Sequence, residues 1–248
     1  SIQTSGTNAH GIVLQNLGSG GGVFLQDGVM QMGNAALGIT ASANDSGYIL
    51  PNAGAVSLTL QDSQVQVTGT GSRGVVLQSQ GVSVDASGYT AGGMSGATFG
   101  GQISVTLNND SVISAEQATA LVIIGGSDDA SAPNTVTVNS GQIISGMFLA
   151  TMRKATSDAD TPMNSWAVYA PVGYTNVTIG ADGEILGNIY LGGMSNTQGD
   201  VINNGSWHGS TAVVAANSFH NYGAIQTAGQ YNIGDATITG SLKHHEGG

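Results

Sequence analysis

The sequence predicts an all-β chain wound as a parallel β-helix. Three observations carry this: gapless internal repeats, short period-2 apolar strands separated by Gly and Asn corners, and a composition rich in glycine and poor in charge. Of 248 residues, 40 are glycine, none is cysteine, 8% are charged and 40% are hydrophobic. Net charge is −11, pI is near 4.3 and mean hydropathy is +0.08. So many apolar residues with so few charges exclude a self-repelling disordered segment. Without a three-residue glycine period, and with only 4 prolines, the chain is not collagen-like. No run approaches the roughly 18 apolar residues of a membrane-spanning helix. Four lysines and arginines are too few to neutralise a phosphate backbone, which excludes nucleic acid as a partner.

The first repeat lays residues 1–18 over 64–81 without a gap, placing Ile2 on Val65 and Val13-Leu14-Gln15 on Val76-Leu77-Gln78. A diverged third copy, Ser111 to Gly125, is read with Val112 at the place of Ile2 and Leu121-Val122-Ile123-Ile124 at that of Gly11-Ile12-Val13-Leu14. A second phrase alternates Val56-x-Leu58-x-Leu60 before Val65-x-Val67. It returns as Ile103-x-Val105-x-Leu107 with Val112, Val136-x-Val138 with Ile143, and Val177-x-Ile179 with Ile185. Each reads as a strand, a short polar turn and another strand, built largely from β-branched residues. A third phrase sets Val201–Trp207 against Phe219–Ile225, 18 residues later, and places Trp207 in the core beside Ile225. Taking roughly 20 residues per coil and strands about 4.8 Å apart predicts about a dozen coils and a rod on the order of 50–60 Å long. Corners then need Gly or Asn at positive φ.

Three excursions interrupt the repeat: 86–101, 125–134 with Asp128 and Asp129, and 150–175. The last carries Arg153, Lys154, Asp158, Asp160, Trp166, Tyr169 and Tyr174, which are the candidate ligand contacts. Each excursion reads either as a solvated insertion or as a recognition loop on a rigid scaffold, and clustered aromatics beside polar groups suit a sugar or peptide.

Chemical motifs are sparse. The absence of cysteine excludes thiol nucleophiles, disulfides and thiolate metal sites, and suits export through an oxidising compartment. Gly69-Thr70-Gly71-Ser72-Arg73-Gly74 matches Gly-x-Gly-x-x-Gly, but the VVLQSQ that follows reads as a strand where a dinucleotide site needs a helix N-terminus. His10 and Arg73 fall at one repeat position and are expected on a solvent-facing corner; no histidine has metal-ligand spacing. The paired aspartates read as solvated carboxylates, with a calcium role left open. The architecture resembles that of the pectin hydrolases, and Asn108-Asn109-Asp110, Asp128-Asp129 and His208-Gly209 are present. However, there is no Gly-His-Gly, and Arg153-Lys154 comes too early in the chain for that family's order. The expectation is therefore no enzyme, no cofactor and no metal.

Thr7-Asn8-Ala9-His10-Gly11-Ile12-Val13-Leu14-Gln15 followed by Gly18-Ser19-Gly20-Gly21-Gly22 resembles the signature repeated in bacterial autotransporter passenger domains. Asn203-Asn204-Gly205-Ser206-Trp207 and Asn221-Tyr222-Gly223-Ala224-Ile225 resemble their Asn-x-Gly-x-Ile coils. The resemblance implies a right-handed β-helix at the surface of a Gram-negative bacterium or secreted from it. It also implies anchoring by a C-terminal outer-membrane barrel that does not follow within these residues. The role it implies is adhesion or self-association, the partner being the protein itself on neighbouring cells or a host surface protein or glycan. Two alternatives stand beside it: a glycan-binding or glycan-cleaving β-helix of polysaccharide-hydrolase or phage-tailspike type, and a passive stalk.

Overall fold

The computed structural model of the chain describes residues 1–17, 23–26, 29–32, 53–80, 82–85, 88–91, 100–146, 166–192, 199–209, 213–226 and 237–245. Every secondary-structure element among them is a strand. The chain opens with β1 (Ile2–Thr4) and β2 (Ile12–Leu17), followed by an antiparallel hairpin of β3 (Val23–Gln26) and β4 (Val29–Met32). A second coil contains β5 (Val56–Gln61), β6 (Gln64–Val67) and β7 (Val75–Gln80), with a further hairpin of β8 (Val82–Asp85) and β9 (Gly88–Ala91) after it. The third coil is β10 (Ile103–Asn108), β11 (Ser111–Ala115) and β12 (Leu121–Gly125). In the fourth, β13 (Asn134–Ile144) bends through two sides and β14 (Val168–Val172) makes the third; β15 (Thr175–Leu186) and β16 (Ile189–Leu191) repeat that pattern. The last coils are β17 (Asp200–Asn203), β18 (Ser206–His208), β19 (Val213–Asn221), β20 (Ala224–Gln226) and β21 (Thr237–His244).

All strands outside the two hairpins pair in parallel and form three columns. The first column holds β5, β10, β13, β15, β17, β19 and β21; the second, β1, β6, β11, β13, β15, β18 and β20. The third stacks β2, β7, β12, β14, β16, β19 and β21. This is the architecture of a parallel β-helix, as the sequence predicts.

Inward side chains stack from coil to coil. In the second column Val65, Ile113, Ile143, Ile185, Trp207 and Ile225 lie in register, and all but the last are fully buried or nearly so. The first column stacks Leu58, Val105, Val136, Val177, Val201 and Phe219 beneath its outer face. Trp207 is in the core as expected, its ring 5.6 Å from that of Phe219 and its Nε1–H donating to Gly187 O at 3.0 Å. Burying the indole N–H with a partner removes the penalty that an unpaired donor would carry.

The corners have the expected chemistry. Asn8, Asp62, Asn109 and Asp110 adopt φ of 55°, 48°, 51° and 55°, a region in which Asn and Asp are enriched. Asn108-Asn109-Asp110 is thus a turn between β10 and β11, and Asn109 Nδ2 donates to Asp62 Oδ2 of the corner below at 3.3 Å.

Two expectations need correction. The columns are seven strands deep among the described residues, about 30 Å at normal strand spacing, rather than a dozen coils. The 18-residue interval is real for Val201 and Phe219, but Ile2 and Val65 are also vertical neighbours, 63 residues apart. A coil tolerates long insertions at its corners because loop closure grows only slowly with length. The third copy is also displaced by one residue. Ile113, not Val112, stacks on Val65, and Leu121 sits on Val75, which itself sits on Ile12. Adjacent β-branched residues left the face ambiguous, and the structure buries Ile113 while Val112 stays half-exposed.

Candidate functional site

Two outward surfaces carry side-chain arrays that the fold places, and in the second of them Tyr169 packs on a small buried cluster of Val76, Val122 and Ile124. The first is the outer face of the first column. Because β5, β10, β13 and β15 share one register, Ser57, Ser104, Thr135 and Asn176 form one ladder and Thr59, Thr106, Thr137 and Thr178 a second. Gln61 and Asn108 begin a third, and Asn139 Nδ2 donates to Asn108 Oδ1 at 2.8 Å. None of these positions is charged. Neighbours up a ladder are about 4.8 Å apart, so the face is a regular lattice of hydroxyls and amides, each both donor and acceptor.

The second surface lies on the third column. Val168 and Ala170 of β14, and Ile189 and Leu191 of β16, are fully buried, so the alternation sends Tyr169 and Tyr190 outward. Their rings stack at 5.3 Å between centroids with 27° between planes. Trp166 closes the group, 5.3 Å from Tyr190 and 5.9 Å from Tyr169. All three rings are half-exposed. Below them in the same outward row stand Val122 and Val76, both buried, and half-buried Val13.

Arg73 and His10 lie on the corner that leads into this column. Arg73 N–H donates to His10 Nδ1 at 3.0 Å, and Gly11 N–H donates to Arg73 O, also at 3.0 Å. One and two coils further on, Thr119 and Trp166 occupy the same corner, with Trp166 N–H donating to Thr119 Oγ1 at 3.2 Å. The expectation of a solvent-facing corner is corrected: His10 and Arg73 are both partly buried, because successive coils stack corner on corner. Burial, then the nearby Arg73 charge, pushes His10 down to about 4. Burial also lowers Arg73 from its ordinary value, opposed by Tyr169. Tyr169 is raised by burial and by Tyr190, against the pull of Arg73. No ion-pair partner for Arg73 occurs among the described residues.

Of the ligand-contact candidates, Arg153, Lys154, Asp158 and Asp160 lie outside the described residues. Trp166 and Tyr169 come together, whereas Tyr174 stands apart. Its N–H holds Ser127 O at 2.7 Å, and its phenol is raised by burial and by Asp200. Tyr190 is the member that sequence reasoning missed. The signal was present as Val168-Tyr169-Ala170 and Ile189-Tyr190-Leu191, two apolar-Tyr-apolar phrases in vertical register. Within the span 150–175, residues Val168–Val172 belong to a core strand rather than an excursion.

Most of the span 86–101 also lies outside the described residues, although Gly88–Ala91 pairs with Val82–Asp85. The segment 125–134 is a corner loop pinned by buried Asn134. Asn134 Oδ1 accepts from Ile103 N and Ser127 N at 2.9 Å each, and Nδ2 donates to Gly125 O at 3.0 Å. Asp128 and Asp129 are exposed there, and hydrogen bonds from Ser131 lower Asp129. Gly69–Gly74 leads into strand β7, as expected for a corner. No group of three or more side chains able to hold a metal ion occurs among the described residues. No protein-family model matches the chain, and neither a curated protein nor a solved structure matches it.

Proposed function

We propose that the chain is a non-catalytic passenger displayed at a Gram-negative cell surface or released from it, and that it acts by adhesion, foremost to further copies of itself. The observation that supports this best is the uncharged ladder face that β5, β10, β13 and β15 form in the first column. Serine, threonine, asparagine and glutamine donate and accept equally well, so such a face is complementary to its own copy under a two-fold axis. Like charges do not meet across it, although each chain carries −11 overall. Single hydrogen bonds to such groups are weak, about 1 kcal/mol net, and a periodic array makes the contact multivalent.

Sedimentation velocity across concentration tests the reading. The chain is expected to self-associate reversibly, and the double variant Thr106→Arg with Thr178→Arg, two rungs apart on the face, is expected to remain monomeric. An equally charged pair placed on the Asp128–Asp129 loop serves as control. A concentration-independent monomer, or association equal in both variants, would overturn self-adhesion through this face.

A further inference from the structure

The ladder face of the first column repeats in two directions at once. Along a strand, alternate outward residues are about 6.6 Å apart, and from coil to coil the step is about 4.8 Å. One row is threonine four times running, Thr59, Thr106, Thr137 and Thr178, and the row beside it runs from Ser57 to Asn176. No register shift interrupts either row. Strand propensity alone would be met as well by valine, isoleucine or tyrosine, and solubility by lysine or glutamate. The rows use none of these. A β-branched threonine has few χ1 rotamers, so its hydroxyl and methyl stay in place where a longer polar side chain would be mobile. Ser57 and Thr59 are exposed and the other members half-exposed. Among the described residues none of the ladder hydroxyls is bonded to another protein group; Asn176 alone is engaged, accepting from Asp200 N at 2.9 Å at the end of its row.

Such a face presents to water a rigid lattice of hydroxyls, each able to donate and to accept. Water bridging neighbouring hydroxyls is spaced at the strand step in one direction and at twice the residue rise in the other. The prism faces of hexagonal ice repeat at close to these two spacings, and at right angles, as the ladders do. Charge is complementary too. Ice rejects ions, so a charged face would have to shed its counter-ions to touch it, whereas these rows are neutral in a chain of net charge −11. We propose that the ladder face binds ice, the four-threonine row and its neighbour holding a patch of water in the lattice of a prism face. The contact needs only one chain, so it goes beyond self-adhesion and does not rest on it.

The test grows ice slowly in a solution of the whole chain, compares protein in the ice with protein in the liquid, and records the shape of single ice crystals. The chain is expected to be enriched in the ice severalfold over an inert globular protein of similar mass, and to facet crystals that otherwise grow as smooth discs. Thr106→Arg with Thr178→Arg should remove both effects, and the equally charged pair on the Asp128–Asp129 loop should leave them. Thr106→Ser with Thr137→Ser separates the two uses of the face. It keeps every hydroxyl, so hydrogen-bonded self-association read by sedimentation should persist. It also frees χ1 and removes two methyls, so enrichment in ice should fall severalfold. An unaltered far-UV spectrum and melting temperature show that each variant folds. Three outcomes overturn the proposal: enrichment no greater than that of the inert protein, enrichment undiminished by the paired arginines on the face, or an equal loss from the pair on the loop. Retention on crystalline chitin or cellulose without enrichment in ice would assign the face to a glycan lattice instead. A monomer that enters ice upholds this proposal while overturning self-adhesion, and an associating chain that ice excludes does the reverse.

Discussion

His10 is a side chain whose chemistry is set by stacking rather than by its neighbours in sequence. Burial beside Arg73 holds it at about 4, whereas an unfolded histidine titrates near 6.5. Between those values the unfolded chain binds the proton and the folded chain does not, so stability falls as pH drops through this window and is fully present above it. Because the ring is only half-buried, solvent screening reduces the contribution to on the order of 1 kcal/mol. Urea unfolding at pH 7.5 and pH 5 should therefore show a loss for the parent chain that is smaller in His10→Asn; equal losses would refute the assignment. Sequence alignment placed His10 and Arg73 at one repeat position, which was right. Their desolvation was not legible, because it comes from coils above and below. For Trp207 the opposite holds: alignment with Ile225 sufficed, since a position filled by a large apolar residue in one rung has few options in the next.

At the level of elements, β13 shows what a corner requires. It runs through two columns and turns at Gly141, where φ is 111° and an added Cβ would lie 2.1 Å from the backbone oxygen of Ser111 in the coil below. Gly141→Ala should cost at least about 2 kcal/mol, from strain and a contact that backbone must move to relieve. Gly6→Ala, whose Cβ would meet only Ala9 Cβ at 3.4 Å, should change stability by no more than about 0.5 kcal/mol. Chemical denaturation of both variants checks this. The Asn-x-Gly-x-Ile phrase has a similar basis. Asn203 and Asn221 continue the inward row of Leu60, Leu107, Val138 and Ile179, and bond to each other at 2.6 Å. Asn221 Nδ2 also closes its own turn on Gly223 O at 2.8 Å, whereas Asn203 Nδ2 reaches the turn of the next coil at Ala224 O, 2.9 Å away. The phrase was visible in the sequence; its burial was not, because asparagine in a Gly-rich stretch reads equally well as an exposed turn.

At the scale of the whole molecule, the outward ladders of the first column are uncharged over β5, β10, β13 and β15. Acidic groups such as Asp62, Asp110, Asp128 and Asp129 lie on corners and loops beside these four strands, while further along the column Asp200 follows Asn176, and Lys243 follows Ile202 and His220 after Thr178. Association through that face should therefore not weaken with salt. Raising ionic strength from about 0.05 to about 0.5 M shortens the screening length and removes repulsion between acidic rods, so sedimentation should show equal or stronger association. Weakening by salt would instead place ion pairs at the contact.

The sequence by itself determined the winding, the strand phrases, the Gly and Asn corners and the vertical neighbours of the two best-preserved alignments, 1–18 on 64–81 and 201–207 on 219–225. A solenoid stacks like on like, so its repeats record its contacts. Tertiary structure alone decided how many coils stack among the described residues, since a longer interval between vertical neighbours need not add a rung. It also decided the face of the third copy, because two adjacent β-branched residues satisfy either register until the coils above and below bury one of them. And it brought Tyr190 against Trp166 and Tyr169 of the preceding coil, since parallel strands set residues far apart in sequence within about 5 Å of one another.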